Sequence, residues 1–311
     1  MLGLIEFYHQ LFDSVHEGVY FIDNQKRILH WNKSAERITG YSEADIIGAR
    51  CSGGILTHLD RNGNDLCMLN CVFNKSMCTC SENSGDVYIR HKDGHRVPVR
   101  IHITPVTDSK GNIVGAIEVF RENVFRNIDE ELIEDLKKAD LIDSFTGLAN
   151  QKYVEMKLRS SLEHKQKHNI SFGIILISVD DLRDIDEIFT HEIEQQVFNM
   201  VARTLEGNVR SWDLVGRWGE EDFLAVVSHI NQQQLVSVAN KLRLIIENSF
   251  VEVHEQLVVK VTLTMGATVS MPEDTIQTIT GRALYILERG KAYGHNLVFT
   301  DEDFQETESS N

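Results

Sequence analysis

R-S-W-D-L-V-G-R-W-G-E-E-D-F, from Arg210 to Phe223, brings two kinds of chemistry into fourteen residues. Arg210 and Asp213 stand three apart. Behind them Gly219 leads three consecutive carboxylates, Glu220, Glu221 and Asp222, closed by Phe223. An Arg-x-x-Asp pair on its own is usually a surface ion pair of little energetic consequence. What surrounds it decides its meaning.

The chain has 311 residues, and single hydrophobic cores rarely grow beyond ~250–300, so two domains are expected. A hydrophobic content of 42% suffices for both. The formal charge of -16 argues against nucleic acid or anionic membrane as a partner, because both attract basic patches. Met1-Leu-Gly-Leu-Ile-Glu lacks a basic flank ahead of an apolar core, and no apolar run reaches membrane-spanning length. A cytoplasmic protein is expected. All five cysteines, Cys51, Cys67, Cys71, Cys78 and Cys80, fall in one short window, which suits reduced thiols or a metal better than a disulfide framework.

On either side of the opening stretch, from Asp143 to about Thr300, strand and helix patterns alternate as in an α/β domain with a central sheet. Asp143-Ser-Phe-Thr-Gly-Leu-Ala-Asn150 opens it and Val261-Thr-Leu-Thr-Met-Gly-Ala267 lies late in it. With the Arg210–Phe223 stretch, these motifs resemble the GGDEF family, the diguanylate cyclases that join two GTP molecules into cyclic di-GMP. The resemblance implies a phosphoryl-transfer site using Mg2+ held by carboxylates. It also implies a product-binding inhibitory site at Arg210 and Asp213. There the arginine can fork onto phosphate or guanine, and the carboxylate can accept from guanine nitrogens.

Position by position, the catalytic half departs from the family pattern. Glu220 replaces the second glycine of the turn, and Asp222 is one methylene shorter than the usual glutamate. If position 220 needs positive φ, a non-glycine residue there costs ~1–2 kcal/mol. A carboxylate ~5 Å from the triphosphate would add roughly 3 kcal/mol of repulsion at an effective dielectric near 20. Ser178 stands where the first metal carboxylate is expected; Asp180 and Glu221 keep the other metal positions. Asp186 and Gln195 occupy the guanine-recognition positions, which changes the donor–acceptor pattern. Asn150 and Lys291 match nucleotide-binding positions, while His295 replaces an arginine. Arg217 is expected to support the hairpin. The resemblance thus implies a binding site that is kept and a catalytic site that is degenerate, with little or no synthesis. Two alternatives stay open: an active, product-inhibited cyclase using Glu220 or Asp180 as a substitute ligand, and a dimerisation scaffold that binds no nucleotide.

In the first third, Gly18–Ile22 and Ile28–Trp31 read as a hairpin around Asp23–Lys26, followed by a helix between Asn32 and Tyr41. Strands are expected over Val87–Arg90, Val97–Val106 and Ile113–Phe120. This order resembles a PAS domain over residues 8–122. The expected fold is therefore α+β, with an N-terminal PAS domain (1–122) of antiparallel sheet and flanking helices. A helical linker (123–142), a GGDEF domain (143–300) with a central β-sheet surrounded by helices, and a disordered acidic tail (301–311) would follow. In the linker Val124, Ile128, Leu132, Leu136 and Ala139 share one helix face. That face suits either packing on its own domain or a parallel coiled coil in a homodimer, and fewer than three heptads leave both open.

Cys51, His58, Cys67, Cys71 and His91 offer nitrogen and sulfur ligands suited to zinc or iron, with His95 four residues beyond His91. A haem held through His58 or His91 is a variant of that reading. The plainer alternative is buried thiols and turn histidines.

Overall fold

The computed structural model describes residues 2–51, 55–69, 71, 73, 81–123, 130–180, 190–254 and 257–305. They divide into two compact units, Met1–Val124 and Phe125–Asn311.

The first unit is a PAS fold. Its five-stranded antiparallel sheet runs β2-β1-β5-β4-β3, with β1 Gly18–Asp23, β2 Ile28–Trp31, β3 Asn83–Arg90, β4 Arg96–Thr107 and β5 Ile113–Glu122. Asp23 builds the first hairpin turn by accepting from the amides of Gln25 and Arg27. The helix Lys33–Thr39 follows, with Asn32 at its N-cap and Gly40 left-handed (φ 73°) at its C-cap. Fully buried Asn32 accepts from Val19 N and Ala35 N, and donates to the carbonyls of Phe12 and Glu17. One side chain thus ties the N-terminal helix Leu2–Ser14, β1 and this helix together. Inward residues of alternate parity, with Tyr20, Trp31 and Phe120 as an aromatic centre, fill the core.

The second unit carries a mixed sheet in the order β12-β11-β6-β8-β7. Here β6 is Phe172–Val179, β7 Leu214–Arg217, β8 Asp222–Ser228, β11 Leu263–Val269 and β12 Val298–Thr300; a separate hairpin pairs β9 Val251–His254 with β10 Leu257–Val259. Only the β11–β12 pair is parallel. All eight residues of β6 are buried, as expected for a central strand covered on both faces. Ile175, Ile177 and Val179 meet the helices His191–Gly207 and Gln232–Glu247, while Ile174 and Leu176 meet Gln151–His168 and Ile276–Lys291.

Two boundaries differ from expectation. The helix expected over 123–142 is described as Glu130–Lys138; residues 124–129, and with them Val124 and Ile128, lie outside the described residues. Its C-terminus is a Schellman arrangement: Leu141 N bonds Leu136 O, Asp140 N bonds Lys137 O, and Asp140 takes φ 55°. A left-handed aspartate, where glycine is usual, stops the helix short of residue 142. At the other end Asp301–Gln305, expected within a disordered tail, is ordered. Phe304 is buried and stacks on Phe299, Asp303 accepts from Thr300, and Asp301 accepts from Thr268. The aromatic contacts outweigh the polar composition there; residues 306–311 lie outside the described residues.

Candidate functional site

The sheet register sets the catalytic end. Ser178 stands opposite Asp222 across β6 and β8, and the Ser178 side chain hydrogen-bonds the Asp222 carboxyl. Burial pushes that carboxyl above its usual range; the Ser178 bond and the charge of Lys291 partly offset it, while Glu221 and Glu288 add to it. Lys291 ends the helix Ile276–Lys291 and pairs with Glu288 at 3.2 Å. Ser178, Glu221, Asp222 and Lys291 are therefore neighbours in space. Among the described residues, the carboxylates of this turn form no group of three ligand atoms within 4.8 Å.

The turn itself closes through Trp218 N and Gly219 N, both donating to Asp222 O. Arg217 clamps it from behind: Nη2 and Nε donate to the carbonyls of Glu220 (2.8 Å) and Gly219 (3.1 Å). Its guanidinium lies over the rings of Phe145 and Phe198 and reaches Asp143. The Asp143–Asn150 segment straps across β7, bridging Ala149 to Gly216. A Cβ at Gly216 would fall 2.6 Å from the Ala149 carbonyl oxygen, so the glycine is required by this close approach. Glu220 corrects an expectation. It is exposed and is not among the described non-glycine residues at positive φ, so the backbone penalty does not apply.

Asp180 is buried and already engaged: one oxygen accepts from Thr262 Oγ1 (2.6 Å) and Asn296 N (3.0 Å), the other lies 3.3 Å from His295 Nδ1. Its carboxylate anchors the loop after Lys291, where Gly294 (φ 133°) and Asn296 (φ 59°) are both left-handed. The residue expected as a metal ligand thus also serves local structure. Asp180→Ala is expected to cost about 1–3 kcal/mol by stranding the Asn296 amide, with Asp180→Asn milder; equal thermal unfolding of wild type and Asp180→Ala would refute the anchor. Asn150 is the N-cap of Gln151–His168, accepting from Tyr153 N and donating to Asp140 O, so both ends of its amide serve local structure. Gln195 is exposed on the helix His191–Gly207. Asp186 lies outside the described residues.

Away from this end, the turn before β7 presents Arg210 exposed, its guanidinium 5.8 Å from the centre of the exposed Trp212 ring. Asp213 is buried, accepts from Ser228 N, and has its carboxyl pushed up by burial against the opposing pull of its backbone bonds and of Arg210 and Lys157. Lys157 and Lys241 donate to the carbonyls of Trp212 and Asn208. Spacing alone did not identify these two lysines. The charges of Arg210 and Lys157 act on the Asp213 carboxyl, and that of Asp213 acts on Lys241.

The sensor thiols and imidazoles do not assemble as expected. His58 Nε2 meets Glu118 Oε1 at 3.1 Å in the core, both nearly solvent-free, and His58 Nδ1 lies 3.6 Å from Cys67 Sγ. Cys51 is buried and its thiol is pushed well up, by burial first and then by Glu118. Cys71 accepts from Lys26 Nζ. His91 belongs elsewhere, stacked on His95 at 4.1 Å in the β3–β4 turn. The five candidates therefore form no single ligand set among the described residues; Cys78 and Cys80 lie outside them. Glu118 was missed, although strand alternation places it on the inward face with Ala116 and Phe120.

The chain thus carries an antiparallel sheet followed by a mixed sheet that ends in an acidic turn. The family model described as "Diguanylate cyclase, GGDEF domain" matches residues 140–297, just over half the chain, and a PAS domain model matches 16–123. The chain belongs to the GGDEF family and carries a PAS domain ahead of the GGDEF domain. It is 25% identical over 227 residues to the response regulator PleD of Caulobacter vibrioides, spanning 65% of this chain and 50% of PleD. It is 23% identical over 163 residues to the diguanylate cyclase DosC of Escherichia coli, spanning 51% of this chain and 35% of DosC. The chain thus spans half or less of the length of these curated relatives. Among solved structures, the diguanylate cyclase SiaD of Pseudomonas aeruginosa, in complex with its activator SiaC, matches at 27% identity and TM-score 0.52 over 55% of this chain and 65% of SiaD. The coiled coil and GGDEF domain of DgcB from Caulobacter crescentus, in complex with c-di-GMP, shares the fold at 17% identity and TM-score 0.51, over 55% of this chain and 91% of that one. Among the described residues no helix is long and apolar enough to cross a membrane.

Proposed function

We propose that this protein is a cytoplasmic sensory component of cyclic di-GMP signalling, in which the PAS unit governs a GGDEF unit that binds cyclic di-GMP and synthesises little or none. The observation that carries this reading is the contrast between the two ends of the Arg210–Phe223 stretch. At one end Ser178 takes the place of a metal carboxylate and bonds Asp222, while Asp180 is held by Thr262 and Asn296. Glu221 and Asp222 alone are a poor donor set for the Mg2+ that family cyclases use. At the other end the exposed Arg210 guanidinium beside Trp212 suits a ligand that carries both phosphates and flat bases. A homodimer belongs to the catalytic alternative, in which two nucleotides must be joined. The convergence of Glu221, Asp222 and Lys291 favours one second reading, an active cyclase restrained by product at Arg210 and Asp213.

Calorimetric titration with cyclic di-GMP tests the proposal. Binding is expected, and Arg210→Ala should weaken it about tenfold or more, since a charge-assisted bond is worth ~1.5–3 kcal/mol. Unchanged affinity in that variant would move the site, and no binding by the wild type would leave the scaffold reading.

A further inference from the structure

We propose that the β3–β4 turn of the PAS unit is a binding site for a borderline divalent transition-metal ion such as Zn2+, ligated by His91, Asp93 and His95. Among the described residues this is the trio of His, Cys, Asp or Glu whose candidate ligand atoms all lie within 4.8 Å of one another. The backbone holds them there: His91 N donates to His95 O, Gly94 N donates to His91 O, and Gly94 takes φ 89°. The two imidazoles stack at 4.1 Å with 26° between their planes. Asp93 Oδ2 lies 3.6 Å from His91 Nδ1.

The ring of His91 is held in place by its neighbours. Its Cε1 edge packs against Gly40, where a Cβ would come within 2.5 Å, and its Nδ1 faces the turn as an acceptor from Asp93 N at 3.1 Å. The Nδ1 lone pair is the one that accepts from the Asp93 amide, so an ion bound there would replace that hydrogen bond. Two imidazoles and one carboxylate suit Zn2+, Co2+ or Ni2+ better than a hard cation, and they leave coordination positions for water or another ligand. The thiols are poorer candidates: Cys51 is buried with its thiol pushed up, and Cys71 takes a bond from Lys26. The turn is also joined to the helix Lys33–Thr39, since Lys92 N donates to Thr39 O, and to the next helix, Glu43–Ile46, through the pair of Lys92 Nζ with Asp45. An ion held at the turn would therefore stiffen that junction.

The experiment uses the full-length chain, free of any histidine tag, titrated with Co2+ by absorption and with Zn2+ by calorimetry. One equivalent of Co2+ should bind, giving visible d–d bands without the near-ultraviolet charge transfer of a thiolate ligand. His95→Gln should weaken Zn2+ binding at least about tenfold, the loss of one ligand. Cys67→Ser should leave the affinity unchanged. Asp93→Asn, at a largely exposed position, should also weaken binding and serves if His95→Gln does not fold. Absence of binding overturns the site. So does thiolate charge transfer that Cys67→Ser abolishes, or wild-type affinity in either turn variant.

Discussion

Glu118→Ala will destabilise the PAS unit by about 3–5 kcal/mol near neutral pH, the usual cost of removing one partner from a buried ion pair. His58 and Glu118 are almost without solvent, and they pair at 3.1 Å. Burial acts to lower the His58 pKa, but the Glu118 charge and the bond to Cys67 oppose it and prevail, holding the imidazole up to about 10. A group raised in the folded state stabilises fully below its ordinary value, near 6.5, and loses that contribution as pH rises through about 10. The wild type should therefore weaken in alkali over that window, and Glu118→Gln should flatten the dependence while keeping a hydrogen-bond partner. Denaturant-dependent hydrogen exchange of the β5 amides reports the PAS unit separately. A loss below about 1 kcal/mol in Glu118→Ala would mean the pair is neutral or solvated.

With GTP and Mg2+ or Mn2+, the protein is expected to form no cyclic di-GMP above background. The heavier defect is Ser178, since the strand end offers a hydroxyl where the reaction wants charge. Glu220 contributes less than its sequence position suggests, because it is exposed and water screens its repulsion to about 1 kcal/mol or below. Ser178→Asp with Glu220→Gly should restore more activity than either change alone, as the two share one site. Ser178→Asp should also lower the thermal midpoint by setting a carboxylate opposite Asp222, and Mg2+ should recover it through binding to the folded state. Robust turnover by the unaltered protein would sink this account.

Much of the architecture was legible because period and punctuation were clean. The hairpin at Asp23, the helix between Asn32 and Gly40, and the all-apolar β6 follow from capping chemistry and alternation. What was not legible depended on distances between segments. His91 is a short span of sequence from Cys71 yet belongs to a different cluster, since β3 carries it to the far end of the hairpin. Glu118 was hidden because a charged residue on an inward face looks like noise until its partner, sixty residues earlier, is seen. Asp180 stands at a ligand position in the chain, but that one of its oxygens also serves Thr262 and Asn296 depended on segments far away in sequence. The helix stop at Asp140 rests on a left-handed aspartate, a conformation that composition does not announce.

The strap over β7 gives the acidic turn a short mechanical lineage. From the stop at Asp140 the chain runs through Leu141 to Asp143, whose carboxylate touches Arg217, and Arg217 holds the carbonyls of Gly219 and Glu220. The route of contacts from the end of Glu130–Lys138 to the turn thus passes through one residue's guanidinium, laid over Phe145 and Phe198. Arg217 is in that sense a tie-rod between the incoming helix and the acidic tip.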